Sequence, residues 1–236
     1  MLPSNPVYQR VRAASPAELL GIPWVQALDA ADRAWLAGVI RVAPAQPGER
    51  ICRFGRAPTF WFGVVDGLLK MSNDTADGGT ITYTGVPPGG WFGEGTLLKR
   101  EPYRYNIEAL RASTVAGLPI DDFHRLLDRS IPFNRFVMNQ LNERLGQFIA
   151  ARGIDRQTDP EARVAGSLAL LFNPVLYPGV GAMLRITQQE LGYLVGLSRQ
   201  RVNTSLQALS QAGLIRIEYG GVRVLDLPGL RAYRAG

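Results

Sequence analysis

Five polar residues near the carboxyl end of the chain have the types and spacing for contacting DNA. They are Arg199, Gln200, Arg201, Asn203 and Thr204. A guanidinium can donate two hydrogen bonds to guanine O6 and N7, and a carboxamide can bond adenine N6 and N7. We therefore predict that Arg199 and Gln200 contact base edges in the major groove, together with Asn203 one helical turn later.

The segment from Arg185 to Asp226 has the signals needed to present those side chains on a helix. Thr187 followed by Glu190 forms a capping-box pattern, which marks the start of a first helix. Gly196 can adopt the left-handed backbone that ends this helix, and Ser198 can cap the second one. These signals predict two helices joined by a tight turn.

A β-hairpin is predicted after the two helices. The β-like runs Leu214–Tyr219 and Val222–Leu225 are joined by Gly220-Gly221, which is a two-residue hairpin signal. Together with the helices, this hairpin predicts a winged helix-turn-helix. An ordinary helical hairpin with a solvated polar face is the alternative.

The distribution of charge favours DNA as the partner. The net charge is +6, and residues 183–236 contain seven arginines against three acidic residues. A basic helix-turn-helix segment is typical of domains that bind a polyanion. Two copies related by a two-fold axis would bind inverted half-sites about 34 Å apart.

A second set of polar residues is predicted to contact DNA phosphates. Contacts of this kind position the protein but carry no sequence information. The predicted phosphate ligands are Thr187, Gln189, Ser198, Arg201 and Arg223.

Composition limits the other classes of function. Of the 236 residues, 46% are hydrophobic and 19% are charged, which is typical of a globular chain with room for two domains. No apolar run approaches the ~20 residues of a membrane helix, and the first ten residues lack a signal-peptide core, so we expect a cytoplasmic protein. Cys52 is the only cysteine and His124 the only histidine, so no haem, zinc or iron–sulfur site is expected. No catalytic constellation is present, and the chain is not expected to be an enzyme.

Short alternating runs separated by glycine and proline turns fill the region between Val39 and Leu118. Strands at this spacing predict a small antiparallel barrel or roll. The runs are Val39–Ala43, Phe60–Val65, Leu68–Ser72, Thr80–Thr84, Tyr105–Ala109 and Thr114–Leu118.

A long helix is predicted to follow this region, and its apolar residues recur at alternating steps of three and four. They are Met138, Leu141, Leu145 and Phe148. This heptad seam predicts a dimer interface. The alternative is a helix packed on its own β-roll. The predicted domains are residues 1–129, the dimerisation helix 130–157 and the DNA-binding domain 158–236.

The run ITQQELGYLVGLSRQRVNTSLQALSQAGLI, residues 186–215, resembles the DNA-binding domain of the Crp/Fnr transcription regulators. The resemblance implies base contacts from Arg199, Gln200, Asn203 and Thr204. Relatives often have Glu in place of Gln200 and Arg in place of Thr204, so the target sequence differs. RNA polymerase is a further partner that the resemblance implies.

The resemblance also covers the amino-terminal half. The segments PGERICRFGRAP, VVDGLLK and PPGGWFGEGTLL resemble those of a cyclic-nucleotide-binding β-roll. The implied fold is α+β: an N-terminal cyclic-nucleotide-binding-like β-roll, a long dimerisation helix and a C-terminal winged helix-turn-helix.

An effector pocket is predicted at Gly93, Glu94, Arg104 and Tyr105. In relatives that bind cyclic AMP, a Glu holds the ribose hydroxyl and an Arg-Ser pair holds the phosphate. Glu94 matches, but the Arg-Ser pair is missing and the register of Arg104 stays open. The alternative is that Glu94 and Arg104 pair with each other and close a vestigial pocket.

Phe148-Ile149 stand where those relatives use hydroxyl residues to bond adenine. An unpaired buried polar group costs about 1–3 kcal/mol. Cyclic AMP is therefore not the expected effector, and another nucleotide or an apolar effector is the alternative.

The sequence thus predicts a homodimeric, sequence-specific transcription regulator with a sensor β-roll. One alternative is a constitutive regulator whose β-roll is only a scaffold. The other is a cyclic-nucleotide-binding regulatory subunit of an enzyme, whose C-terminal domain contacts protein.

Overall fold

The computed structural model describes residues 10–234. The predicted lack of a signal-peptide core concerns residues 1–10, of which residues 1–9 lie outside the described range, as do residues 235–236. In the described residues the helices are α1 (Pro16–Leu20), α2 (Pro23–Gln26), α3 (Ala30–Val39), α4 (Glu94–Lys99), α5 (Ile120–Arg129), α6 (Ile131–Ile154), α7 (Pro160–Leu171), α8 (Gln188–Val195), α9 (Arg199–Gln211) and α10 (Leu227–Ala232).

The strands of the described residues form three antiparallel sheets. They are β1 (Arg12–Ala13), β2 (Arg41–Ala45), β3 (Arg50–Cys52), β4 (Phe60–Asp66), β5 (Leu69–Asp74), β6 (Thr80–Val86), β7 (Trp91–Phe92), β8 (Asn106–Ala109), β9 (Ser113–Pro119), β10 (Met183–Arg185), β11 (Ile215–Glu218) and β12 (Gly221–Val224).

Strands β1 to β9 make the predicted roll, which is confirmed. One sheet has the order β1-β2-β9-β4-β7 and the other β3-β8-β5-β6. Side chains such as Val64, Met71 and Ile107 are buried in its core. The predicted strand Val39–Ala43 begins two residues too early, because Val39 is the last residue of α3. The short strands β1, β3 and β7 were not predicted, since two or three residues cannot show a period.

A second core fixes the start of α6 on the roll. Trp24, Trp61 and Trp91 cluster there with Phe133 of α6, and the Trp61 and Trp91 ring centroids are 4.4 Å apart. The helix runs for 24 residues, which is shorter at its carboxyl end than the predicted range 130–157. Asp159 caps α7, because its side chain accepts a hydrogen bond from the Ala162 N–H.

The predicted winged helix-turn-helix is confirmed in α8, α9 and the sheet β10-β12-β11. Thr187 and Glu190 form the capping box, and Ser198 accepts a hydrogen bond from the Arg201 N–H. Gly196 has φ +67°, the left-handed backbone that ends α8.

The predicted hairpin turn at Gly220-Gly221 is wrong by one residue. Glu218 pairs with Gly221, so Tyr219 and Gly220 form the turn. Gly221 is needed for another reason: a Cβ atom there would collide with the carbonyl oxygen of Leu184 on β10. The third strand, which was not predicted, therefore accounts for the second glycine.

Within residues 10–234, no helix is both long and apolar enough to cross a membrane. In the same range, no group of three or more His, Cys, Asp and Glu side chains could hold a metal ion. Cys52 is buried in the roll, and His124 Nε2 lies 3.0 Å from the carbonyl oxygen of Leu97.

Candidate DNA interface and effector cavity

The first turn of α9 presents an exposed polar surface. Arg199, Gln200 and Arg201 are all exposed, as is Thr204 one turn later. The opposite side of α9 is anchored by buried apolar residues of the domain, including Leu206. A helix held in this way can enter a groove with its amino-terminal side chains leading.

Asn203 and Thr204 already have hydrogen-bond partners inside the domain. Gln188 Nε2 donates to Asn203 Oδ1 at 2.7 Å, which brings the start of α8 beside the first turns of α9. Thr204 Oγ1 donates to the Gln200 carbonyl oxygen at 3.2 Å. Asn203 therefore keeps its amide nitrogen as a donor for a base acceptor, while its Oδ1 already accepts one hydrogen bond from within the domain.

The predicted phosphate ligands differ in exposure and in the hydrogen bonds that their side chains already make. Gln189, Ser198 and Arg201 are exposed residues, and the Ser198 Oγ accepts a hydrogen bond from the Arg201 N–H. The Thr187 hydroxyl is held in the capping box, where it donates to Glu190 Oε2 at 2.9 Å.

Arg223 forms an ion pair within the wing. Its Nε lies 2.5 Å from Glu218 Oε1, and its Nη2 lies 3.2 Å from Glu218 Oε2. The hydrogen bond to Glu218 raises the pKa of Arg223 above its ordinary value. A phosphate at this position has to compete with the Glu218 carboxylate.

A cavity of about 330 Å³ lies between the β-roll and α6, and all four predicted pocket residues line it. Gly93, with φ +93°, turns the chain into α4, and Glu94 is the first residue of that helix. The apolar part of the wall includes Met71, Leu141 and Phe148.

Glu94 is the buried carboxylate of the cavity, with 3% of its surface exposed. Its Oε1 lies 3.6 Å from Arg144 Nε on α6, while its Oε2 has no hydrogen-bond partner. A buried acceptor without a donor is costly, so this oxygen suits a ligand hydroxyl or amine.

Arg144 was missed by the sequence analysis. The buried side of α6 carries Gln140, Arg144 and Gln147 in one stripe with Phe133 and Val137. Three polar residues on the face that meets the roll were the available signal, because a buried polar side chain needs partners.

The guanidinium of Arg144 is held by several groups. It donates to the Trp91 carbonyl oxygen at 2.7 Å, to Gln147 Oε1 at 3.1 Å and to the Tyr177 hydroxyl at 3.1 Å. Burial lowers its pKa, but nearby Tyr177 and Glu94 outweigh burial, so the pKa of Arg144 is raised. The cavity thus has a permanent buried cation.

Arg104 lies at the edge of the cavity, with 76% of its side chain exposed. It pairs with Glu101 at 2.9 Å, and Glu101 also pairs with Lys99. The alternative in which Glu94 pairs with Arg104 is wrong, because each has a different partner. An anion at this edge has to displace the Glu101 carboxylate.

Tyr105 is the fourth predicted pocket residue. Burial, followed by the charge of Glu94, raises the pKa of Tyr105. Its hydroxyl is therefore neutral at physiological pH. The cavity as a whole combines one free buried acceptor and one buried cation with an apolar wall.

The two faces of α6 differ in burial. One face packs against the chain's own β-roll through buried residues such as Phe133 and Val137. The predicted seam lies on the other face, where Met138 and Leu145 are each 61% exposed. Phe148 is exposed there too, Leu141 is half-buried, and neighbouring Ile149 adds a further exposed apolar side chain.

Comparison with known proteins identifies two domains. Residues 43–130 match the model of the cyclic nucleotide-binding domain, and residues 162–233 match that of the Crp-like helix-turn-helix domain. The transcriptional regulator SdrP of Thermus thermophilus is 30% identical over 199 residues, which cover 83% of this chain and 90% of that protein.

Two solved structures share the fold. FixK2 from Bradyrhizobium japonicum aligns with a TM-score of 0.66 at 17% identity, covering 84% of this chain and 98% of that chain. A CRP-family transcriptional regulator from Thermus thermophilus aligns with a TM-score of 0.54 at 25% identity, covering 80% and 94%.

Proposed function

Because this chain belongs to the Crp/Fnr family of transcription regulators, we propose that it binds an inverted-repeat operator as a homodimer. The exposed polar first turn of α9 is the observation that carries the proposal. In this proposal its role is regulatory rather than catalytic, and it acts in the cytoplasm.

In this proposal, Arg199 and Gln200 contact bases, with Asn203 and Thr204 beside them on the helix. Arg199 suits guanine, and Gln200 suits adenine. Each half-site then contains a G near an A. Phosphate contacts come from the starts of α8 and α9 and from the wing.

Dimerisation through α6 supplies a second helix-turn-helix, which binds the other half-site. The exposed apolar face around Leu145 supports this part of the proposal, because an apolar patch on a helix is a typical partner surface. RNA polymerase is included in the proposal as a further partner, because the chain belongs to a family of transcription regulators.

Control by a small effector in the cavity completes the proposal. The unpartnered Glu94 Oε2 supports a ligand with a hydrogen-bond donor, and the apolar wall supports an apolar body. Cyclic AMP is not the proposed effector, because Phe148 and Ile149 offer adenine no hydrogen bond. The pairing of Arg104 with Glu101 favours the second candidate, a constitutive regulator without a ligand.

Selection of bound DNA from a random pool by the purified protein is the test. It should be run with and without a small-molecule extract of cells. Enrichment of an inverted repeat, with half-sites about one helical turn apart, is the expected result. Enrichment that requires the extract would favour effector control, and equal enrichment without it would favour the constitutive candidate. No enrichment in either arm would reject the proposal.

A further inference from the structure

The loop from residue 173 to residue 181 leads from α7 to β10 and packs against the β-roll. Asn173 orders its start, because its Oδ1 accepts hydrogen bonds from two backbone N–H groups that follow it. A Cβ atom on Gly179 would lie 2.7 Å from the carbonyl oxygen of Pro88, in the turn between β6 and β7. The backbone of this loop therefore touches the backbone of the roll.

Tyr177 lies in the middle of this loop, with 1% of its surface exposed. Its hydroxyl accepts hydrogen bonds from Arg144 Nη1 at 3.1 Å and from Gln147 Nε2 at 2.9 Å, both on α6. The same guanidinium lies 3.6 Å from Glu94 in the cavity. One buried side chain thus contacts the cavity carboxylate and the loop that leads to the winged sheet.

We infer that Arg144 and Tyr177 transmit the state of the cavity to the winged helix-turn-helix. The inference rests on the proposed control by an effector in that cavity. Arg144 and Tyr177 are positioning residues in this account, and Glu94 is the group that meets the effector.

The physical basis is that Arg144 divides its donors between two sites. Its Nε faces Glu94, whereas its Nη1 is shared between Gln147 and Tyr177. A ligand that donates a hydrogen bond to Glu94 Oε2 competes with Arg144 for the negative charge of the same carboxylate. In a buried site this competition is strong. Movement of the guanidinium then alters the bond that anchors the loop. By reciprocity, DNA binding that moves the loop changes the affinity for the effector.

The test is a double-mutant cycle on the full-length, ligand-free protein, with Glu94→Gln and Tyr177→Phe. The readout is hydrogen–deuterium exchange in residues 173–181, where the Tyr177 N–H bonds the Asn173 carbonyl oxygen. We expect Tyr177→Phe to speed exchange of this loop. The size of that effect should differ by about fivefold or more between the wild-type and Glu94→Gln backgrounds.

The path through Arg144 is tested separately. Within residues 10–234 no hydrogen bond joins Glu94 to Tyr177, so coupling has to pass through a third group. Arg144→Lys keeps the charge but loses the planar fork. In that background we expect the effects of Glu94→Gln and Tyr177→Phe to multiply independently.

Tyr233→Phe is the matched control, because it removes a hydroxyl that donates to Glu161 at 2.8 Å within the carboxyl-terminal domain. It should act independently of Glu94→Gln. Independent effects for the Glu94 and Tyr177 changes, or equal coupling with Tyr233→Phe, would overturn the inference.

Glu94→Asp replaces Glu94→Gln in the same cycle if the latter does not fold, because it keeps the charge but draws it back from Arg144. The same criteria apply. Failure of the DNA selection would reject the proposed function, and the exchange cycle can still be measured. If the DNA selection succeeds but Glu94→Gln and Tyr177→Phe affect exchange independently, only the transmission through Arg144 and Tyr177 is rejected.

Discussion

The guanidinium of Arg199 is exposed at the start of α9, where a fork of donors can meet guanine O6 and N7. We expect Arg199→Ala to cost about 1–3 kcal/mol of operator binding and to relax the preference at one G only. Binding measured against operators substituted at each position would check this.

Arg201 supplies the comparison, because it is exposed on the same turn but is predicted to bind phosphate. Arg201→Ala should weaken all sequences alike and reduce the salt slope by roughly one. If Arg199→Ala behaves like Arg201→Ala, Arg199 is a phosphate ligand and the proposed base contacts are wrong.

A second prediction at this scale concerns the cavity. A ligand that binds only the folded state raises the melting temperature, and the rise grows with the logarithm of the ligand concentration relative to its Kd. We expect millimolar cyclic AMP to leave the melting temperature unchanged, because Phe148 in the cavity wall gives adenine no partner and Glu101 occupies Arg104. A clear rise with cyclic AMP would contradict the interpretation of Phe148-Ile149.

The structural roles of some residues can be predicted from the sequence, and those of others cannot. The N-cap roles of Thr187 and Ser198 could be predicted, because a cap depends on residues three positions away. The partners of Arg144 could not, because Glu94, Trp91 and Tyr177 come from distant parts of the chain.

At the scale of the element, the wing carries a cation that is already paired. Arg223 and Glu218 occupy β12 and β11. If Arg223 contacts a phosphate, Glu218→Gln should release the Arg223 guanidinium from its ion pair and strengthen binding to all DNA sequences. Arg223→Ala should weaken binding and flatten the salt slope by roughly one. Titrations over a range of salt would measure both slopes.

The two wing variants should change the affinity for DNA in opposite directions. If Glu218→Gln does not strengthen DNA binding and Arg223→Ala does not weaken it, the ion pair has only a structural role in the hairpin. Surface pairs of this kind contribute only about 0–1 kcal/mol to stability.

The third strand of the wing depends on Gly221. A Cβ atom there would collide with the Leu184 carbonyl oxygen, so we expect Gly221→Ala to lower the melting temperature. Overpacking typically costs about 1–3 kcal/mol. Gly38→Ala in α3 is the control, because nothing lies within 4 Å of the added atom and a helical alanine gains about 0.5–1 kcal/mol. Equal melting temperatures for the two variants would contradict the packing account.

Elements with a clear period were predictable, and those fixed by neighbours were not. Val202, Leu206 and Leu209 are buried in α9 and stand in the sequence at helical spacing. The position of the hairpin turn depends on pairing with β10, which has only three residues and no pattern of its own.

At the scale of the molecule, the order of the domains could be predicted but their contacts could not. Arg111 of the roll pairs with Glu190 at 2.8 Å and donates to the Arg185 carbonyl oxygen at 2.9 Å. A Cβ atom on Gly85 would lie 2.8 Å from Leu194 on α8. These pairs are far apart in sequence, so no local pattern indicates them.

The dimer is the remaining question at this scale. Leu145 is exposed in the middle of the apolar face of α6, while the opposite face is buried on the roll. Across a two-fold axis, Leu145→Glu would bring two carboxylates together in a buried interface, where an unpaired charge costs about 3–5 kcal/mol. We expect a monomer in sedimentation equilibrium and a large loss of operator affinity, since one copy can bind only one half-site. Asn139→Glu, at an exposed position on another side of the same helix, should leave the dimer intact. If Leu145→Glu remains a dimer while Asn139→Glu dissociates, the interface lies on that other side of α6, and if both remain dimers it lies on another element.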